Sequence, residues 1–408
     1  MKIKSVEIKE DRVLKNIGIS FENNGNILNT IVIAGANGSG KTTLLESIIK
    51  NIEECLGKYI QRPDENRVNF YFEDNENRII ERERVNLKEK WPITYSSNNL
   101  FFNYLKLQET RKSHQLISSV SENIYPKVIY VPSEIKFEKS EVNTTSLKVD
   151  YKLINIVNNE LIKSIPSYIA SRITYVANTE EDLTMKQVRE KVSEEINRIF
   201  DILDIDVKLK GVSKDETSTP IFTNSSGDEF DINGLSSGEK QLFLRTLAIK
   251  MLEPENSIIL IDEPELSLHP KWQSKIIKVY ERIGKNNQII IATHSPHILG
   301  SVPKENIIIL SKDNEGKVFP MTGDKLYSSY GQPVDRILED IMGMETTRNQ
   351  DVFNLLEKTR ELVREDKYDT QEFKDNYQKL INILGTTDKD LLLINMEVQR
   401  RKRGIKNV

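Results

Sequence analysis

The stretch Gly35-Ala-Asn-Gly-Ser-Gly-Lys-Thr-Thr43 decides how this chain is read. It follows the apolar run Thr30-Ile-Val-Ile-Ala34, which predicts a buried parallel strand, and Leu44-Leu-Glu46 opens a helix behind it. Strand, glycine loop and helix start together make a phosphate cradle. Glycines let backbone N–H groups approach an anion closely, and the helix dipole favours negative charge. In such a cradle Gly35, Asn37, Gly38, Ser39 and Gly40 shape the loop and Lys41 reaches the β- and γ-phosphates. Thr42, with Thr43 behind it, offers its hydroxyl to Mg²⁺. A chance glycine-rich turn would lack the flanking strand and helix that this motif demands.

The 408 residues suffice for one large domain or a few smaller ones. A formal net charge of −4 gives no global pull toward nucleic acid or membrane, so any DNA contact needs a local basic patch. The single cysteine, Cys55, excludes a disulfide framework, suits a reducing compartment and reads as core filling. Met1-Lys-Ile-Lys4 lacks the apolar segment of a secretory signal, and no apolar run approaches the length that spans a bilayer. A soluble cytoplasmic protein with no membrane partner is the expectation.

Working outward, Ile3–Ile8 and Leu14–Phe21 alternate like a hairpin around the polar Lys9–Arg12, and Val68–Phe72 with Arg78–Arg84 read as another strand pair. Trp91 to Tyr125 is mixed and polar, read as loop plus a short helix. Val128–Val131 is a buried strand ended by Pro132. Tyr151–Ile165 and Thr184–Leu203 carry helical spacing, with Pro166 between them. Val207–Val212 and Ile221–Ile232 read as strands. From Gly234 onward buried strands alternate with helices, which argues for a parallel α/β sheet. Beyond about residue 324 the chain turns helical, with apolar stripes in Val334–Met342, Asp351–Glu365, Glu372–Leu384 and Asp388–Arg400.

Two further clusters carry chemistry. Ile258-Ile-Leu-Ile261 runs into Asp262-Glu263, and open α/β sheets place functional groups at such strand ends. Asp262 can hold Mg²⁺ across from Thr42, and Glu263 is suited to orient or deprotonate an attacking water. Upstream, Gly234-Leu-Ser-Ser-Gly-Glu-Lys-Gln241 opens a helix and makes a second anion site.

Leu235-Ser-Ser-Gly-Glu239 resembles the signature motif of ABC-type ATPases in the variant of the SMC/RecF group. The other motifs follow in the family's order. Pro264–Pro270 resembles the D-loop, and Thr293-His-Ser-Pro296 resembles the switch histidine, His294. The resemblance covers residue 1 to about 310. It implies an α/β ABC-ATPase (P-loop NTPase) core with an antiparallel β subdomain, a helical insertion and a helical C-terminal subdomain. The implied divisions are 1–147 for an N-terminal ATPase lobe, 148–205 for the helical arm, 206–323 for a C-terminal ATPase lobe and 324–408 for the helical tail. It implies an ATPase with ATP and Mg²⁺ as cofactors, in which two chains sandwich the nucleotide. One chain would supply the phosphate loop, Asp262, Glu263 and His294, and the other Ser236, Ser237, Gly238 and Glu239. His269 either sits at that dimer seam or caps a helix. Assembly beyond a dimer is left open.

The chain departs from the family where a glutamine is usual, since Val128-Ile-Tyr-Val-Pro-Ser-Glu134 offers Ser133 or Glu134 in that slot. Gln108 lies in a charged segment and reads as a solvated face. Glu-Pro-Glu-Leu-Ser-Leu-His-Pro270 and the Tyr-Val-Pro-Ser pattern resemble the ATPases of OLD-type and phage-defence operons, and Gly331–Leu338 resembles the tail of Septu-type, PtuA-like ATPases. Without a nuclease metal cluster in the tail, that resemblance implies an effector nuclease or toxin on another chain. The rival expectation is a RecF-like DNA-repair ATPase that clamps DNA directly. A transporter motor ranks third. The basic end Arg400–Lys406 reads as a frayed, solvated terminus, with nucleic acid or an acidic partner as its alternative.

Overall fold

The computed structural model describes residues 1–55, 67–73, 79–82, 126–135, 152–213, 219–323 and 326–404. It resolves into two compact units, Met1–Ile337 and Leu338–Val408. The short helix expected within 91–125, Gln108 and His114 lie outside the described residues.

Strands β1 (Lys2–Asp11) and β2 (Lys15–Ser20) form the expected hairpin. Its turn falls later than the polar run suggests. The Asp11 carboxylate accepts the N–H groups of Val13 at 2.7 Å and Leu14 at 2.8 Å, and Leu14 is buried in the turn instead of starting a strand. A two-residue pair, β3 (Glu22–Asn23) and β4 (Asn26–Ile27), precedes the fully buried β5 (Thr30–Gly35) and α1 (Lys41–Cys55). β6 (Arg67–Glu73) and β7 (Ile79–Arg82) extend the hairpin into an antiparallel sheet of order β2-β1-β6-β7.

After β8 (Val128–Val131), the helix expected over Tyr151–Ile165 is corrected at both ends. Ile154–Ile156 is strand β9, parallel to β8, because its two β-branched side chains suit a sheet edge. Helix α2 covers only Asn159–Lys163, and α3 (Ile165–Thr179) begins at the predicted break. Pro166 occupies the first turn of α3, where its missing N–H has no helical acceptor to lose, so it starts a helix. α4 (Met185–Asn197) is fixed by a capping box between Thr184 and Gln187. β10 (Lys208–Val212), β11 (Pro220–Thr223) and β12 (Glu229–Asp231) form a small antiparallel sheet.

The remaining core elements are α5 (Ser237–Met251), β13 (Ile258–Asp262), α6 (Pro270–Gln273), α7 (Ile276–Glu281), β14 (Gln288–Thr293), α8 (Pro296–Leu299), β15 (Ile307–Lys312) and β16 (Val318–Thr322). The central sheet runs β16-β15-β5-β14-β13-β8-β9 and is parallel throughout except for β16, an edge strand the sequence did not announce. Its order puts β5 beside β14 and β14 beside β13, so three loops with chemistry leave the same sheet edge.

The antiparallel sheet is tied to this layer by one buried side chain. Gln288, fully buried at the start of β14, accepts the Ile3 N–H at 2.6 Å and donates to the carbonyls of Ile3 at 2.9 Å and Leu28 at 3.0 Å. Hydrophobic packing continues across the junction through Ile3, Val6, Ile31 and Ile290.

In the second unit α9 (Gln350–Arg364), α10 (Gln371–Leu384) and α11 (Lys389–Lys402) pack around Leu356, Phe373, Leu380, Leu391 and Ile394. The helix expected at Val334–Met342 is instead a short α turn, Val334–Arg336, and a π turn, Ile337–Ile341. Three side chains of the basic end, Arg400, Arg401 and Lys402, are paired with acids within the unit. Arg400 and Arg401 both bind Glu397, Arg401 also meets Asp366 at 2.7 Å, and Lys402 meets Asp369 at 2.9 Å. Among the described residues no helix is long and apolar enough to cross a membrane.

Gln288→Ala strands two buried backbone groups of Ile3 and the partly buried carbonyl of Leu28, each buried group costing about 1–3 kcal/mol. Denaturant unfolding should register a loss of roughly 3 kcal/mol or more; a loss below about 1 kcal/mol would show that another contact joins the two sheets.

Candidate functional site

The phosphate loop leaves β5 through Gly35, whose φ of +152° and tight surroundings exclude a side chain. A Cβ there would lie 2.4 Å from the Leu310 carbonyl oxygen on the neighbouring strand. Ala36, Asn37 and Gly38 are exposed, Ser39 and Gly40 are buried, and α1 begins at Lys41. The first-turn N–H groups of α1 have no helical acceptor, so they face outward into the loop. Thr43 is half-buried behind them.

Lys41 is only 5 % exposed, and its ammonium has three donors to place. It donates to the carbonyls of Gly35 at 3.0 Å and Ala36 at 3.3 Å, and lies 3.4 Å from Nδ1 of His294. Burial lowers its pKa, opposed by the negative charges of Glu263, Asp262 and Glu265. The loop thus holds a cation whose partners are weak, exchangeable carbonyls and an imidazole.

His294 stands at the end of β14 between that cation and a carboxylate. Its Nε2 lies 3.3 Å from Oε1 of Glu263. Lysine can only donate and carboxylate can only accept, so these neighbours select the neutral tautomer with the proton on Nε2. Burial, then the positive charge of Lys41, pushes the His294 pKa below the ordinary histidine value.

Asp262 ends β13 and is 1 % exposed. Thr42 donates its hydroxyl to the carboxylate at 2.9 Å, and the Ser133 hydroxyl is a second partner. Burial raises the Asp262 pKa, and the neighbouring Glu263 charge raises it further. A hydroxyl beside a buried carboxylate is the oxygen donor set that suits Mg²⁺, which prefers one or two protein oxygens with phosphates and water completing its shell. Among the described residues no group of three or more His, Cys, Asp or Glu could hold a metal. Of Ser133 and Glu134, the two residues in the slot where a glutamine is usual, Ser133 is the one whose side chain reaches Asp262.

Glu263 has a left-handed backbone, φ +44°, unusual for a side-chain residue. Its N–H donates to the Ala292 carbonyl at 2.8 Å. The next acid, Glu265, was not singled out by sequence. Its Oε1 accepts the Thr293 hydroxyl at 2.6 Å and the His294 N–H at 2.7 Å, fixing the turn that carries the histidine. The available signal was the Glu-Pro-Glu run itself, which repeats a carboxylate two residues on.

The structure brings Lys41, Thr42, Asp262, Glu263 and His294 together. The signature residues are elsewhere: among the described residues no hydrogen bond or ion pair joins Ser236–Glu239 to Gly35–Thr43. Ser236 and Glu239 satisfy each other as the capping box of α5, while Ser237 is exposed. Gly238 packs on the D-loop, where a Cβ would come within 2.6 Å of the Ser267 carbonyl oxygen. His269 takes the capping role, its Nδ1 accepting the Lys271 N–H at 3.2 Å.

This fold and this loop define a P-loop ATPase. The chain belongs to the family described as "AAA domain, putative AbiEii toxin, Type IV TA system", which matches residues 31–300. It is 27 % identical over 440 residues to the "Retron Vc95 probable ATPase" of Vibrio cholerae serotype O1 biovar El Tor, covering 86 % of this chain and 82 % of that protein. It is 29 % identical over 221 residues to the "Septu protein PtuA" of Bacillus thuringiensis, covering 50 % of this chain and 54 % of that relative. Among solved structures, the SMC head domain from Thermotoga maritima superposes with a TM-score of 0.41 at 16 % identity, over 79 % of this chain and 100 % of that one.

By nitrogen NMR, His294 should be the Nε2–H tautomer at neutral pH and should take up a proton only below about pH 6.5, the ordinary histidine value. An Nδ1–H tautomer, or titration at or above that value, would contradict the Lys41–His294–Glu263 arrangement.

Proposed function

We propose that this ATPase closes as a homodimer on ATP and uses the resulting change of shape to restrain or activate an effector nuclease or toxin in anti-phage defence. The observation that carries the chemistry is the chain Lys41–His294–Glu263 beside the Thr42–Asp262 pair. Phosphate oxygens entering the loop replace the two carbonyls on Lys41 and meet the free N–H groups of α1. Glu263 takes the proton of the attacking water as its oxygen bonds to the γ-phosphorus. The bond from the γ-phosphorus to the bridging oxygen breaks, leaving ADP and phosphate. His294, neutral and donating from Nε2, orients water and γ-phosphate. Mg²⁺, held by Thr42 and Asp262, would neutralise charge on the phosphates.

The exposure of Ser237 at the start of a long helix supports a signature used by a second chain. The kinship with proteins named for retron and Septu systems supports a defence role. The pairing of Arg400, Arg401 and Lys402 with acids supports the effector reading over direct DNA clamping.

Glu263→Gln should bind ATP with near-native affinity while turnover falls about 10²–10⁴-fold. Rapid phosphate release by this variant would overturn the assignment of the base. Lys41→Ala should lose ATP in a filter or calorimetric binding assay; unchanged affinity would remove the loop from the site. Purification from its native locus of tagged Glu263→Gln protein should recover a stoichiometric effector, whereas recovery of this chain alone with nuclease-sensitive DNA would favour a repair-type clamp.

A further inference from the structure

Helix α5 carries one charged residue into a buried, mostly apolar stretch, Leu242-Phe-Leu-Arg-Thr-Leu-Ala-Ile249, and that residue, Arg245, is 2 % exposed. A buried guanidinium normally has a carboxylate partner, because desolvating the charge is costly. Among the described residues Arg245 has none at hydrogen-bond distance. One Nη donates to the Glu263 carbonyl at 3.3 Å, and the other donates to the Ser133 carbonyl. Among the described residues its Nε has no partner.

Those two carbonyls belong to the ends of two strands of the central sheet. Glu263 follows β13, and Ser133 follows β8. Each residue points its side chain at the site: Ser133 donates to Asp262, and Glu263 faces His294. Arg245 therefore clamps from behind the main chain of two residues whose side chains act in front. It also bonds the carbonyl of a residue held at φ +44°, a conformation that costs free energy unless the surroundings enforce it.

We propose that Arg245 is a positioning residue for ATP hydrolysis, fixing the left-handed backbone of Glu263 and the Ser133–Asp262 contact by bridging both carbonyls. The charge suits this task because a guanidinium presents several donors in a rigid planar fork, spanning two acceptors that lysine could reach only one at a time. The proposal rests on the assignment of Glu263 as the base, which the Glu263→Gln variant tests separately.

The experiment compares Arg245→Lys and Arg245→Gln with the unmodified chain and with Glu263→Gln. Turnover is expressed per bound ATP, so incomplete folding does not imitate a catalytic loss. A misplacement near 1 Å can cost about 100-fold in rate. Both variants should therefore keep ATP affinity and KM within about 3-fold while kcat falls by roughly 10–100-fold. Arg245→Lys should retain more rate than Arg245→Gln. Unchanged kcat in both, with Glu263→Gln inactive, would overturn the positioning role alone. Loss of ATP binding or of cooperative melting in both would also overturn it, since Arg245 would then hold the fold. Full activity of Glu263→Gln would remove the assignment on which the proposal rests.

Discussion

The constraint on which this site depends is the burial of Asp262. Strand β13 carries its carboxylate to a position 1 % exposed, and burial alone works against the charge. The protein answers with hydroxyls, Thr42 and Ser133, and with a lysine one residue before Thr42. Coulomb interactions in such a poorly hydrated setting are stronger than at a surface. Each added charge is thus felt by the next. Asp262 and Glu263 oppose the burial of Lys41, and Lys41 opposes protonation of His294. Five side chains from three loops behave as one electrostatic unit.

That unit can be assembled because the sheet is parallel. Neighbouring parallel strands end at one edge, so β5, β14 and β13 deliver Lys41, His294 and Asp262 side by side without any long-range search by the loops. The signature helix is anchored to the same region by main-chain contacts. Gly238 lies against the Ser267 carbonyl and Arg245 against the Glu263 carbonyl, at two places along one rigid rod.

Much of this was legible in the sequence because it is local. The glycine loop, the four apolar residues before Asp262-Glu263 and the Thr293-His294 turn each declare themselves within ten residues. What was not legible depends on partners distant in the chain. Arg245 and Glu265 look like ordinary charged residues until the fold shows which backbone groups they bind. β9 was read as helix because three residues are too few to set a period against the helical pattern that follows. The basic end looked free because Asp366 and Asp369, its partners, precede it by some thirty residues.

Among the described residues no hydrogen bond or ion pair joins Ser236–Glu239 to the phosphate loop of the same chain, and the proposed dimer would bring them to the loop of a second copy. The most direct measurement is the sedimentation of Glu263→Gln protein with and without ATP, beside the same variant carrying Ser237→Arg. ATP should convert the first from one chain to two and leave the second as a monomer that still binds nucleotide. A Glu263→Gln protein that binds ATP fully and remains a monomer, or a Ser237→Arg partner variant that dimerises equally well, would contradict the account.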